Sequence, residues 1–335
     1  MTDKQTISQE KTMQLQQVFD LYDRRLRLVE DKIRELFGNR ASIIPAIGNH
    51  IISSGGKRLR PLFHLLSADL AGYNGDKDIT VGGIIESIHT ASLLHDDIVD
   101  MADIRRGKPT ANSVWGNQVV VLVGDFLYSN ALRTAVLLKS QKIMETLSEA
   151  TTRMTEGELL QLSRIGDMDI TEDEYREIIS AKTGALISAA CRVGAVLGDL
   201  EEEKELALAE FGMKTGIAFQ MADDILDYMA DESELGKKLG KDLEEGKITL
   251  PLIHLLQAAD PDEVAEIKEI LTGDSTEAGV RNMLILLRKY RSIESSFAKA
   301  EALVGEACEA LSVFPDCSAR EGLLAIAAYS LHRGK

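Results

Sequence analysis

Two acidic clusters, Asp96-Asp97-Ile98-Val99-Asp100 and Asp223-Asp224-Ile225-Leu226-Asp227, stand inside stretches whose apolar residues repeat at helical spacing. Ile84, Ile85, Ile88, Leu93 and Leu94 precede the first; Ile217, Phe219 and Met221 precede the second. Carboxylates on an apolar helix face need water, a base or a cation, because crowded like charge is otherwise unfavourable. Residues four apart share a helix face, so Asp96 with Asp100, and Asp223 with Asp227, aim two carboxylates the same way, with Asp97 and Asp224 beside them. Mg²⁺ suits such sites, since it takes one or two carboxylates and completes its octahedron with water and phosphate oxygens. Two facing clusters would hold one polyphosphate through shared metals. Either cluster alone is more often a solvated acidic face than a metal site; a second copy in matching surroundings, followed by basic loops, reverses that and favours the metal.

The rest of the chain follows the same period. Residues 1–12 read as a flexible N-terminus, and 13–335 as one all-α domain. Leu15, Val18, Phe19, Tyr22, Leu26, Val29, Ile33 and Leu36 predict an amphipathic helix ending at Gly38. Further helices are predicted near 42–53, 61–71, from 79 through the first acidic cluster, and near 118–138, 141–162, 172–197, 203–230, 250–258, 262–272, 276–311 and 318–332. No persuasive strand pair is visible. Residues 231–249 form a charged, glycine-bearing loop too long for a simple connector.

Composition narrows the partners. The 335 residues carry 54 acids against 38 bases, a net charge of −16, which argues against a nucleic-acid or anionic-membrane surface. Any bound anion must therefore meet bases that are concentrated locally. Cys191, Cys308 and Cys317 form no CxxC pair and read as thiols in a reducing cytosol. The N-terminal stretch lacks the apolar segment of a signal peptide, and no continuous apolar run reaches the length of a membrane span. A cytoplasmic location is expected.

Bases do cluster, beside the acids. Arg105 and Arg106 follow the first cluster; Lys237, Lys238, Lys241 and Lys247 follow the second. The turn Gly55-Gly56-Lys57-Arg58-Leu59-Arg60-Pro61 adds three more and ends on a Pro suited to a helix start. Arginine offers a planar fork and lysine a compact charge to phosphate oxygens. The turn lacks the GxxxxGK[ST] spacing of nucleotide-binding loops, so an ordinary ATPase or GTPase is disfavoured.

In this order, GGKRLRP, LLHDDIVDMADIRRGKPTAN, GDFLYSNAL, GELLQL, KTGAL, FQMADDILD and GK-x5-EEGKITLPL resemble the trans-polyprenyl diphosphate synthases, and in particular the long-chain branch making octaprenyl-type quinone side chains. The motifs run over roughly residues 50 to 260, and the helix layout resembles the family throughout. The resemblance implies an all-helical isoprenoid-synthase fold around a central cavity, usually a homodimer, with the acidic clusters facing each other across the mouth. It implies that Asp96, Asp97, Asp100, Asp223, Asp224 and Asp227 hold Mg²⁺ on an allylic diphosphate. It gives Arg105, Lys182, Thr183, Gln220 and Lys237 to the same diphosphate, and Lys57, Arg60, His89 and Arg106 to isopentenyl diphosphate. Without it, His89 reads as a core histidine, Lys182-Thr183 as an exposed pair and Gln220 as a backbone partner. His95 reads as structural, orienting Asp96 or Asp97. Lys241 and Ile248 depart from the Asp and Pro usual in that loop.

The chemistry implied needs no protein nucleophile. Cations take up charge on the departing diphosphate, the allylic cation is attacked by the double bond held beside it, and a proton is lost, with the diphosphate a plausible acceptor. The growing tail should run down the helix of Asp96. Ala91 and Ser92, five and four residues earlier, lie roughly 6 to 7.5 Å down the axis. Both are small where short-chain members carry a bulky aromatic, so a product near octaprenyl is expected, with at most transient membrane contact for its release. The alternatives are a farnesyl or geranylgeranyl synthase and a noncatalytic subunit of a heteromeric synthase. A class I terpene cyclase is disfavoured by the second full DDxxD, and a helical structural protein would show no diphosphate-dependent stabilisation.

Overall fold

The computed structural model describes residues 13–38, 41–53, 55–229, 242, 245–272 and 277–331. The expected flexible N-terminus (1–12), the predicted ligand Lys237 and the neighbouring bases Lys238 and Lys241 lie outside the described residues. Helices α1 (Leu15–Phe37), α2 (Ile43–Ser53), α3 (Leu59–Leu70) and α4 (Lys77–Val99) precede a small β-ladder. Helices α5 (Ala111–Trp115), α6 (Asn117–Leu137), α7 (Gln141–Ser163) and α8 (Glu172–Ile179) follow. A π-helical segment (Ser180–Gly184) joins α8 to α9 (Ala185–Leu197), and α10 (Glu202–Asp227) carries the second cluster. The chain closes with α11 (Leu250–Ala258), α12 (Pro261–Thr272), α13 (Glu277–Lys289), α14 (Ser292–Ala310) and α15 (Ser318–Leu331).

The two cluster-bearing helices are central because they are apolar nearly all round. Every residue of α4 from Val81 to Ile88 is buried, against α1, α3, α6 and α9. Helix α10 packs on α9, α14 and α15, with Leu208, Phe211, Ile217, Ala218 and Met221 inside. Small residues let these helices close up. A Cβ at Gly216 would lie 2.8 Å from Gly184 Cα, so α10 passes the π segment backbone to backbone.

Two predicted helices are divided, and one predicted loop is ordered as a ladder. The 172–197 helix is interrupted by the π segment, whose extra residue turns the following side chains through a different angle. The 276–311 helix breaks at Arg291, which adopts φ +53. The basic loop after the first cluster forms a ladder, β1 (Ile104–Arg105) pairing antiparallel with β2 (Lys108–Pro109). Arg106 (φ +52) and Gly107 (φ +72) are its two left-handed central residues, as a tight hairpin needs. Its two-residue strands are too short to leave a period in the sequence.

Helix α6 also departs from expectation. By length and composition it is apolar enough to cross a membrane, although a third of its most apolar window is buried. Val120, Val123 and Leu127 pack inward, and Asn130 donates a 2.7 Å hydrogen bond to Leu36 O. Its outer face exposes Val121, Leu122, Val136 and Leu137.

Candidate active site

The C-terminal ends of α4 and α10 meet at a cavity of about 370 Å³. Asp96 and Asp100 line it from α4, and Asp223 and Asp224 from α10; Asp242 and Lys247 close one side. Consecutive helical residues are turned about 100° apart, and in the first cluster that rotation separates Asp96 from Asp97. Asp97 is turned off the wall and buried, its Oδ1 accepting from Arg105 Nε at 2.6 Å. The predicted metal ligand is thus placed to hold the hairpin arginine, which itself lines the cavity. Asp227 is likewise off the wall, because at the end of α10 its Oδ2 accepts the Asp242 backbone N–H at 3.0 Å.

Asp224 ends a chain of hydrogen bonds. Thr183 Oγ1 donates to Gln220 Oε1 (2.8 Å), Gln220 Nε2 donates to Asp224 Oδ1 (2.8 Å), and Tyr175 donates to Asp224 Oδ2 (2.6 Å). Thr183 and Gln220, predicted substrate ligands, therefore reach the cavity already tied to an acid. Burial, then the charge of Asp242, pushes the Asp224 carboxyl up to about 8 against those hydrogen bonds. Burial, then the charge of Glu158, pushes Asp96 up to about 7, with Lys182 opposing and Asp100 adding to the rise. Such carboxyls mark uncompensated negative potential, which a dication offsets. Among the described residues no three ligating side chains converge as a ready-made metal cage. That donor set fits a hard cation that takes one or two carboxylates per ion and fills its shell with water and phosphate.

Bases line the same cavity. Arg60 NH1 donates to His89 Nε2 at 3.0 Å, and both line the cavity with Arg105 and Arg106. Burial, then Arg60 and Arg106, holds His89 well below the usual imidazole range, so it is a neutral acceptor for the arginine. Arg106 donates to Gly55 O and Lys108 to Ser53 O (2.7 Å), locking the hairpin onto the glycine turn. Lys57, predicted beside Arg60, is instead outside the cavity wall, against the ring and hydroxyl of Tyr329 in α15. His95 does not orient Asp96 or Asp97; its Nε2 faces Val121 O (3.2 Å) and Asp125 (3.4 Å) on α6. Lys247 spans the mouth, pairing with Asp100 (3.4 Å) and Glu245 (2.5 Å). Burial alone would lower its pKa, yet these acids hold it above the ordinary lysine value.

A second cavity of about 170 Å³ lies beside the first, with Ser92, Asp96 and Lys182 lining both. Ala91, Tyr128, Thr151, Met154 and Thr155 continue its wall. The hydroxyls of Ser92, Thr151 and Thr155 each donate to a carbonyl of their own helix, His89 O, Ser148 O and Thr151 O. Their carbon atoms are left to face the space, so a wall that reads as polar in sequence is largely apolar. Sequence reasoning missed Tyr175, which sits on the apolar stripe of α8 with Ile178 and Ile179 and gives no polar signal. It also gave no role to Glu158 and Gln161, which pair with Lys182.

Residues 41–286 match the family model described as polyprenyl synthetase. Octaprenyl diphosphate synthase of Escherichia coli (strain K12) is 39% identical over 323 residues, covering 96% of this chain and all of that protein. The crystal structure of a decaprenyl diphosphate synthase from Rhodobacter capsulatus superposes with TM-score 0.91 at 36% identity, covering 96% and 99% of the two chains. A polyprenyl synthase from Caulobacter crescentus CB15, complexed with calcium and isoprenyl diphosphate, superposes with TM-score 0.88 at 38% identity, covering 96% and 98%.

Proposed function

Because the chain belongs to the polyprenyl synthetase family, we propose that this prenyltransferase extends an allylic diphosphate with isopentenyl diphosphate, in the presence of Mg²⁺, to a product near octaprenyl diphosphate. One observation carries the reading: acids and bases converge on a single cavity, and Ala91 and Ser92 line a lobe beside it. The relatives' names support a long chain, and the small residues at 91 and 92 support its length class. A homodimer is supported by the outer face of α6, where Val121, Leu122, Val136 and Leu137 are exposed in one chain. The cytoplasm is the proposed compartment, on the acidic composition and the buried thiol Cys191.

Asp96, Asp100, Asp223 and Asp224 are the proposed metal ligands. Mg²⁺ bound there would neutralise charge developing on the departing diphosphate. Lys182 and Arg105 flank the same space and take the remaining charge, Arg105 being steadied by Asp97. Arg60, with His89 as its neutral acceptor, and Arg106 hold the second diphosphate. The allylic C1–O bond breaks, the isopentenyl double bond supplies the electron pair of the new C–C bond, and a proton leaves to the released diphosphate. The new tail moves into the second lobe, away from water.

The test is incubation with farnesyl diphosphate, labelled isopentenyl diphosphate and Mg²⁺, with chromatography of the products. A ladder ending near octaprenyl diphosphate is expected. A stop at farnesyl or geranylgeranyl would overturn the length assignment and keep the chemistry. Absence of Mg²⁺-dependent incorporation would overturn the catalytic reading in favour of a subunit that needs a partner.

A further inference from the structure

The stretch Gly157-Glu158-Leu159-Leu160-Gln161 on α7 has a geometry that gives it a purpose. Gly157 lies so close to the π segment that a Cβ there would stand 2.6 Å from Ala181 Cβ and 3.0 Å from the Lys182 backbone nitrogen. Glu158 Oε2 is 2.6 Å from Lys182 Nζ, and Gln161 Oε1 accepts from the same ammonium. Residues 158 and 161 are one turn apart on one face of α7, so three positions of the stretch converge on a single lysine. The pair is mostly withdrawn from solvent, at 23% and 21% side-chain exposure, which keeps its geometry from being loosened by water.

Lys182 and Asp96 both line the two cavities. A lysine has a flexible stem and a compact charge, and an unrestrained ammonium there is drawn to the Asp96 carboxylate, on which its charge already acts. An ammonium on Asp96 would occupy the ligand that a metal needs. Glu158 supplies a competing carboxylate and Gln161 a second acceptor, both on α7.

We propose that Glu158 and Gln161 are positioning residues that hold the Lys182 ammonium off Asp96 and aim it at the leaving diphosphate, with Gly157 setting the distance between α7 and the π segment. The proposal rests on the prenyl-transfer reading above. It assigns no bond-making step to Glu158, whose action passes entirely through Lys182.

The experiment is a double-mutant cycle of Glu158→Ala and Lys182→Ala, with farnesyl diphosphate and isopentenyl diphosphate at saturating Mg²⁺. Glu158→Ala should lower kcat/KM for farnesyl diphosphate by roughly tenfold to a hundredfold, as misplacement of a positioned group does. The KM for isopentenyl diphosphate should stay within about twofold, and Glu158→Gln, which keeps an acceptor, should recover part of the loss. In the Lys182→Ala background the loss of Glu158 should change nothing further. Losses that multiply independently, or that fall on the isopentenyl KM, overturn the proposal. Calorimetric binding of farnesyl diphosphate without isopentenyl diphosphate repeats the cycle without turnover. A wild-type protein that binds but transfers nothing would therefore count against the prenyl-transfer reading alone, and the binding cycle would still decide the role of Glu158.

Discussion

Replacing Ala91 by Phe sets a ring across the second lobe at a position that is 1% exposed and lies five residues before Asp96. At 1.5 Å per residue that obstacle stands about 7.5 Å below the Asp96 carboxylate. An extended isoprene unit contributes four chain bonds of about 1.5 Å, or roughly 5 Å of length. The first one or two additions therefore proceed freely, and the next must push the ring or bend around it. Overpacking of that kind costs about 1–3 kcal/mol, which slows the blocked step by about five- to a hundredfold. With dimethylallyl diphosphate as the one-unit primer and release unchanged, the product distribution should collapse to about two or three units, while incorporation into the first products continues near the parent rate. Thin-layer or reversed-phase chromatography of labelled products reads this directly. An unchanged product length, or a uniform slowing without shortening, would refute the path along α4.

Three further outcomes follow from the site. Asp96→Ala and Asp223→Ala should each cut kcat by on the order of a thousandfold with a cooperative thermal transition retained, read by steady-state kinetics and calorimetry; full activity in either would exclude a metal there. Tyr175→Phe removes the 2.6 Å donor to Asp224 and should lower kcat/KM about tenfold, the worth of a hydrogen bond to a charged group, while Tm moves little. The raised carboxyls, Asp96 to about 7 and Asp224 to about 8, mean that the folded metal-free protein binds more protons than the unfolded chain between about pH 4 and 8. Their contribution to stability is thus lost as pH rises through that window, so the gain in Tm on adding Mg²⁺ over EDTA should grow from pH 6 to pH 8.5; a gain independent of pH would contradict it.

The helices were legible because apolar residues alone set their period, as in α1 and α4. The acidic clusters were legible as chemistry, since nothing else accounts for carboxylates on buried helices. Which carboxylate faces the cavity was less so. Asp96 and Asp97 differ by a hundred degrees of rotation, and only packing decides which of them turns to Arg105. Asp227 shares a face with Asp223, yet it sits at a helix end where a backbone N–H reaches it first. The π segment escaped notice because one extra residue inside a helix leaves the local apolar pattern almost intact while redirecting Lys182 and Thr183. Lys57 escaped because its alternative partner, Tyr329, is 272 positions away in the chain.

The inward-turned hydroxyls of Ser92, Thr151 and Thr155 bear on processivity. At these three positions the wall offers water few partners, because each hydroxyl is already spent on its own helix. The charged groups of the same lining are His95, Asp96, Glu158 and Lys182. A hydrocarbon tail passing the three hydroxyl positions meets carbon rather than bound solvent, and a growing chain gains nothing by pausing there.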